Sequence, residues 1–217
     1  MQQLEEYRGL KVRPGVRLDE FAAEESTWRR FIQQLGEDDI LLDIGAYIGS
    51  VSVKATEQGA TVVAYEPFPA HFEVLAENAR GRSMACEKTA VMGTEGTVEL
   101  YLAPKSPMAH STVPKKRKAG IIEVPAVTFR SQLERYRPTA VKVDIEGAEY
   151  TFLDDLKDPP DFVFSMAVEF HLIKDPEYLA LANETVEHWR ENGWTFLIGP
   201  RFGGAWKQLL YTAVTRS

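Results

Sequence analysis

Apolar residues recur along this chain with two alternating periods. Ile40, Leu41 and Leu42 run apolar into Asp43, Gly45 and Gly49 bracket a tight turn, and Ile48, Val51 and Ala55 then fall at helical spacing; the segment reads as strand, turn and helix. A second apolar run, Thr61 to Tyr65, ends in Glu66. Pro69 then sits where a first helical turn tolerates it, Phe72, Leu75, Ala76 and Ala79 make one face, and Gly81 stops the helix. Ser83 to Met92 reads as a third strand. Gly96 to Leu102 and Gly120 to Phe129 break the rhythm as two further strands joined by a long polar stretch. Ser131 to Arg137 predicts a short helix, Thr139 to Val143 a buried fourth strand, and Asp161 to Phe170 a fifth. In the last helix Asp175 is a capping residue, Pro176 takes the first turn, Leu179, Ala182, Val186 and Trp189 form the buried stripe, and Gly193 ends it. Trp194 to Ile198 and Trp206 to Val214 close the chain as a strand pair. The pattern predicts an α/β Rossmann-like fold: a mostly parallel seven-stranded sheet, helices on both faces and a C-terminal antiparallel hairpin.

The stretch from Leu41 to Pro67 also carries chemistry. A glycine turn lets backbone pass close to a ligand, the helix start supplies free N–H donors, and an acid at the end of the next strand can accept both hydroxyls of a ribose. Glu66 stands about twenty residues past the turn, as such an acid does. A dinucleotide turn reads G-x-G-x-x-G, its second glycine making room for a pyrophosphate. Here the order is Gly45-Ala46-Tyr47-Ile48-Gly49, with a bulky tyrosine where a phosphate-facing loop would be bare. S-Adenosylmethionine has no phosphates, and Asp43 just before the turn suits its amino-acid end. The segment therefore points to a methyl donor and to a class I methyltransferase fold.

Composition narrows the partners. With 217 residues and 44% hydrophobic positions the chain can bury a sizeable core, and one domain over 1–217 is the simplest organisation. A net charge of −7 argues against a general binder of polyanions, which attract a positive face. Cys86 is the single cysteine, which excludes an internal disulfide; it reads as a small buried hydrophobe on a strand. The N-terminus has no apolar leader core and no apolar run approaches a membrane span, so a soluble, cytoplasmic protein without membrane insertion is expected. Residues 1–39 are expected to be an N-terminal extension contributing to the acceptor side, and 103–119 a mobile basic loop.

The segment Val141 to Tyr150, VKVDIEGAEY, gathers Asp144, Glu146 and Glu149 around Gly147 at the end of a buried strand. Ligands in open α/β sheets sit beyond the carboxyl ends of strands, which favours Asp144 as a site residue. Glu149 reads more simply as an acid stabilising a helix N-terminus through its dipole. LLDIGAYIG, VVAYEP, VPAVTFRSQL, VKVDIEGAEY and AVEFH follow one another from Ile40 to His171, and in this order they resemble the FkbM-type S-adenosylmethionine-dependent methyltransferases. That resemblance implies O-methylation of sugars or secondary metabolites, with Asp43, Gly45 and Gly49 at the methionine end of the cofactor, Glu66, followed by Pro67, at the ribose and Phe68 at the adenine edge. Tyr47 departs from the asparagine common in the family at that position.

Methyl transfer to a hydroxyl needs a base within reach of the acceptor. Asp144, Glu146, Glu169 and His171 stand at the strand mouths. His171 is the favoured base because imidazole titrates near neutrality, with Asp144 positioning the acceptor or the donor amine and Glu146, Glu169 and His171 facing the substrate. Asp144, Glu146 and Glu169 could instead gather a magnesium ion, but their spacing fixes no coordination shell and no metal ligand is assigned. His71 and His188 fall within helices and read as solvated or structural, and His110, in the long loop, could fold over a site. Lys115, Lys116, Arg117 and Lys118 form the dense basic run of an acidic chain. They offer a clamp for the phosphates of RNA or a nucleotide-sugar, though a solvated loop is the simpler reading, and a glycan or small polar acceptor is favoured over nucleic acid. A binding module without catalysis is the remaining alternative. Oligomeric state is not legible.

Overall fold

A computed structural model of the protein describes residues 4–14, 26–104, 109–114, 118–171, 176–203 and 209–216, with backbone alone for 198–203 and 209–213. The strands are β1 (Glu5–Tyr7), β2 (Leu10–Val12), β3 (Ile40–Ile44), β4 (Thr61–Tyr65), β5 (Met84–Glu87), β6 (Ala90–Met92), β7 (Gly96–Leu102), β8 (Gly120–Thr128), β9 (Ala140–Val143), β10 (Ser165–His171), β11 (Thr195–Gly203) and β12 (Leu209–Thr215). The helices are α1 (Ser50–Glu57), α2 (Pro69–Ala79), α3 (Phe129–Tyr136), α4 (Leu153–Lys157) and α5 (Pro176–Glu191), with a 3-10 turn over Ala148–Phe152 and helical residues at 26–32.

Seven strands form the main sheet in the order β11-β12-β10-β9-β3-β4-β5. The pairs β10–β9, β9–β3, β3–β4 and β4–β5 are parallel, while β12 runs antiparallel to β10 and β11. The expected sheet and closing hairpin are therefore present. Strand order reverses between β3 and β9, the place where ligands sit in doubly wound sheets.

Period-2 alternation sorts the side chains to two cores. Leu42, Ile44, Val63, Tyr65, Val141 and Val143 face α3, α4 and α5 through Phe129, Leu133, Leu156, Val186 and Trp189. Leu41, Val62, Ala64 and Ala140 face the opposite side, with Trp28, Phe31, Val51 and Leu75. Asp43 and Lys142 alternate onto that second, apolar face, and they are register partners across β3 and β9.

Three expectations change. Ser83 to Met92 is two strands, because after β5 the chain leaves the main sheet and β6 pairs with β8 in a separate sheet of order β6-β8-β7. On α2 the buried residues are His71, Val74, Leu75 and Asn78, not the stripe of Phe72, Ala76 and Ala79. The cause is the β1–β2 hairpin: Asn78 clamps it by accepting from Lys11 N at 2.6 Å and donating to Lys11 O and Ile48 O, while Leu10 and Val12 pack on Tyr47, Ile48 and Val74. The described residues of 1–39 thus brace the back of the glycine turn and the sheet rather than the acceptor side. Asp175 lies outside the described residues.

Candidate active site

A cleft of about 700 Å³, its open mouth included, lies at the carboxyl ends of β3, β4 and β9. It is lined by Gly45, Tyr47, Glu66, Pro67 and His71, by the apolar Ala90, Val91, Met92 and Leu100, and by Asp144, Glu146, His110, Ser111 and Thr112.

Glu66 is the best-anchored group in it. Its Oε2 accepts the Tyr47 N–H at 3.0 Å and its Oε1 the Phe68 N–H at 2.8 Å. One lone pair on each oxygen is left for a ligand. Around it Tyr47, Phe68 and His110 pack on the His71 ring: Tyr47 and Phe68 meet it edge-on with centroids 4.4 and 4.7 Å away, and His110 stacks on it at 5.2 Å. Buried His71, with Nδ1 3.7 Å from Glu66 Oε1, is a site residue that its helical position disguised. Its spacing three residues after Phe68 was the available signal. His188 pairs with Asp158 on the surface, far from this role.

The glycines are required by the protein itself. Gly45 has φ +81°, and a Cβ there would meet the Asp144 carbonyl oxygen at 1.8 Å; at Gly49, with φ +90°, it would meet Leu75 at 2.8 Å. Close approach of β3 to the loop after β9 selects glycine, rather than the ligand clearance expected from the turn. Gly49 does not line the cleft, nor does Phe68, which packs with Ala90, Leu100 and Val124 behind it. Two non-glycine residues lining the cleft, Tyr47 with φ 53° and Glu146 with φ 57°, hold left-handed backbone. Such conformations cost about 1–3 kcal/mol each and concentrate at functional sites.

Asp43 departs from its expected place. It is fully buried and absent from the cleft lining. Its Oδ2 accepts from Ser52 Oγ at 2.6 Å, and the equally buried Lys142 ammonium stands 3.4 Å from Oδ1. Lys142 also donates to the Gly45 carbonyl at 2.9 Å and lies 3.6 Å from Asp144. Asp43 therefore acts beneath the turn, through Lys142. A lysine inside the four-residue strand AVKV, buried throughout, was the overlooked sign.

The acids after β9 and on β10 converge on His171. Glu149 stands in the first turn of the 3-10 helix and accepts the Gly147 N–H at 2.9 Å, as expected of an acid at a helix start; fully buried, it also accepts the His171 N–H at 2.5 Å, joining the loop to the end of β10. Glu149 Oε1 is 3.3 Å from His171 Nδ1 in a direction too oblique for a hydrogen bond. On the other ring edge, Nε2 stands 3.5 Å from Glu169, 3.7 Å from Glu146 and 3.9 Å from Asp144. Burial pushes the imidazole down, but Glu149, Glu146 and Glu169 outweigh it and hold it up at about 10. Burial, and then Asp144, push the Glu169 carboxyl well up. An imidazolium has no lone pair for a proton, and His171 does not line the cleft. Both its position outside the cleft lining and the acids that favour its protonated form weigh against His171 as the base.

The long loop is tied over the site where it is described. Ser111 pairs with Tyr101 by two backbone hydrogen bonds and donates its hydroxyl to the Glu146 carbonyl at 2.7 Å, while His110 Nδ1 accepts from Ala103 N. These bonds pin residues that were expected to be mobile. Lys115, Lys116 and Arg117 lie outside the described residues; Lys118 places its ammonium 4.8 Å from the Tyr101 ring centre.

The family model described as the methyltransferase FkbM domain matches residues 43–193. The chain belongs to the FkbM methyltransferase family. Its cofactor is S-adenosylmethionine, and the residues present fit it: an anchored carboxylate for a ribose, an apolar wall for a base, and no phosphate-binding run of bare glycines. The hexuronic acid methyltransferase AglP of Haloferax volcanii is 26% identical over 164 residues, covering 74% of this chain and 68% of that protein. Among solved structures, the precorrin-6y C5,15-methyltransferase of Geobacter metallireducens matches with a TM-score of 0.51 at 15% identity, over 97% of this chain and all of that one. A SAM-dependent methyltransferase of Agrobacterium tumefaciens matches at 0.54 and 13%, over 99% of this chain and 70% of that one. These last two establish the class I methyltransferase fold. No helix among the described residues is long and apolar enough to cross a membrane.

Proposed function

We propose that this FkbM methyltransferase O-methylates a hydroxyl of a sugar or small polar metabolite, and that Asp144 receives the hydroxyl proton. The observation that carries this is the composition of the cleft that Glu66 shares with Asp144, Glu146, Ser111 and Thr112, a polar, anionic lining suited to a hydroxyl-rich acceptor. The Haloferax relative, named a hexuronic acid methyltransferase, supports a sugar as the acceptor, with any sugar carboxylate turned away from Asp144 and Glu146.

Bound S-adenosylmethionine supplies a methyl group already activated on a sulfonium. The chain's task is to hold an acceptor oxygen in line and take up its proton. Glu66, fixed by two backbone N–H groups, holds the ribose; Tyr47 and His71 close the adenosine side. Of the acids, Asp144 is part-exposed to the cleft, whereas Glu169 is buried behind it. A phosphate-bearing acceptor is disfavoured by the same carboxylates.

The test is incubation with isotopically labelled methyl donor against uronic acid glycosides, neutral hexosides, amines and RNA. Label on a sugar hydroxyl, with Asp144→Asn lowering kcat by about 10²–10⁴ at near-normal affinity for S-adenosylhomocysteine, is the expected result. Label confined to amines or RNA refutes the reading.

A further inference from the structure

We infer that Asp144, Glu169 and His171 form a binding site for a divalent first-row cation at the acceptor end of the cleft, with Glu146 beside it and Glu149 orienting the histidine. One ligand atom from each of the three lies within 4.8 Å of the others. The separations around His171 Nε2, 3.5 Å to Glu169, 3.7 Å to Glu146 and 3.9 Å to Asp144, are too long for hydrogen bonds. They suit donors arranged around a common point, since ligands at about 2.1 Å from one octahedral ion stand roughly 3 Å apart when adjacent and 4 Å when opposite. They are ion pairs without hydrogen bonds, which a common cation could replace.

A second observation is independent of that spacing. Glu169 is nine-tenths buried and, among the described residues, accepts no hydrogen bond; its charge is met through space, by His171 at 3.5 Å and more remotely by Lys142. A buried carboxylate without hydrogen bonds is costly, and a cation bound to it directly would complete it. Lys142 is not placed to do so, because its ammonium donates to Gly45 and faces Asp43 and Asp144. The histidine has the support a metal ligand requires: Glu149, wholly buried, holds the His171 backbone N–H and lies against Nδ1, so that Nε2 is turned toward Asp144 and Glu169. A cation bound there takes the place of the proton that these acids otherwise keep on the imidazole. Two carboxylates and one imidazole suit Mn²⁺, among hard and borderline ions, better than zinc in a closed four-ligand site. The site deepens the hydroxyl-acceptor reading, since a cation beside Asp144 and Glu146 would hold an acceptor oxygen there.

The probe is Mn²⁺ alone, added to chelator-treated full-length protein without donor or acceptor and followed by loss of the free-ion electron paramagnetic resonance signal and by calorimetry. One ion per chain is expected, weakened at least tenfold by Glu169→Gln and by His171→Ala, and about 10–100-fold by Glu149→Gln, with Glu57→Gln as a surface control. Glu169→Gln is nearly isosteric, so it decides the matter even if His171→Ala fails to fold. No saturable binding, or binding equal in wild type and Glu169→Gln, overturns the site. Because no substrate is present, Mn²⁺ binding in a protein that methylates no hydroxyl would sink the acceptor reading alone, and hydroxyl methylation without Mn²⁺ binding would sink this site alone.

Discussion

Replacing Lys142 by methionine removes an ammonium from the interior while nearly preserving the length of the side chain. Three acceptors lose it: the Gly45 carbonyl at 2.9 Å, Asp43 at 3.4 Å and Asp144 at 3.6 Å. Asp144 is partly exposed and can be solvated, whereas Asp43 is fully buried and keeps only the Ser52 hydroxyl. Leaving a buried charge without its partner costs about 3–5 kcal/mol. In a chain of this size that lowers Tm by roughly 6–20 °C. Urea denaturation should show the loss as a shift in midpoint at unchanged slope. The double variant Asp43→Asn, Lys142→Met removes both charges and leaves an amide that still accepts from Ser52, so most of the stability should return, with a coupling of about 2 kcal/mol or more across the cycle. Additive effects, or a single Lys142→Met loss under about 1 kcal/mol, would refute the assignment of Lys142 as the counter-charge of Asp43.

Glu66→Ala should weaken S-adenosylhomocysteine at least tenfold by calorimetry, because charge-assisted hydrogen bonds are worth about 1.5–3 kcal/mol and the Tyr47 and Phe68 N–H groups lose their acceptor as well; unchanged affinity would place the ribose elsewhere. Gly45→Ala forces a Cβ to 1.8 Å from the Asp144 carbonyl at φ +81°. It should cost about 2–5 kcal/mol in denaturation and weaken the cofactor too, and a stable, tight-binding variant would contradict the geometry. Burial, then Asp43 and Glu87, push the Cys86 thiol from 9.0 up to about 11, so its protonated form is favoured by folding and that stability is present below pH 9 and lost as pH rises through 11. At pH 8 its alkylation by iodoacetamide should run about a hundredfold slower in the folded protein than in urea, and equal rates would sink this assignment.

The sheet was legible because its signal is local. A strand of four or five apolar residues ending in Asp43, Glu66 or Asp144 announces itself, and the helix after Gly49 follows from periodicity. The division of labour among the acids was not, because it depends on which of two faces each alternating residue takes and on what the neighbouring strand brings to the same level. Asp43 sits four residues before the cleft-lining Tyr47, yet register with Lys142 turns it inward. Glu149 read correctly as an acid at a helix start, but its second task, tying the loop to β10, depends on a partner twenty-two residues away. His171 had the right residue type for a base, but its charge state is decided by Glu146, Glu149 and Glu169, two of them more than twenty residues away in sequence. The β1–β2 hairpin covers the face of α2 that carries Asn78, which local periodicity does not show, while Phe72 is only partly buried.

These interior contacts join the two ends of the cleft. Gly45 packs against the Asp144 carbonyl, its own carbonyl accepts from Lys142, and Lys142 reaches both Asp43 beneath the donor turn and Asp144 at the acceptor end. The Glu146 carbonyl receives the Ser111 hydroxyl from the overlying loop, and Glu149 ties the same segment to His171. The loop after β9 is thus fixed from three directions: by the donor turn, by the lid segment and by β10. A change in charge at the acceptor end, a fall by loss of Lys142 or a rise by gain of a cation, acts on the very segment whose carbonyl sits 1.8 Å from where a Gly45 Cβ would stand. Donor and acceptor affinities should therefore be coupled through this segment without any movement of the sheet, since the turn can shift only if Asp144 shifts with it.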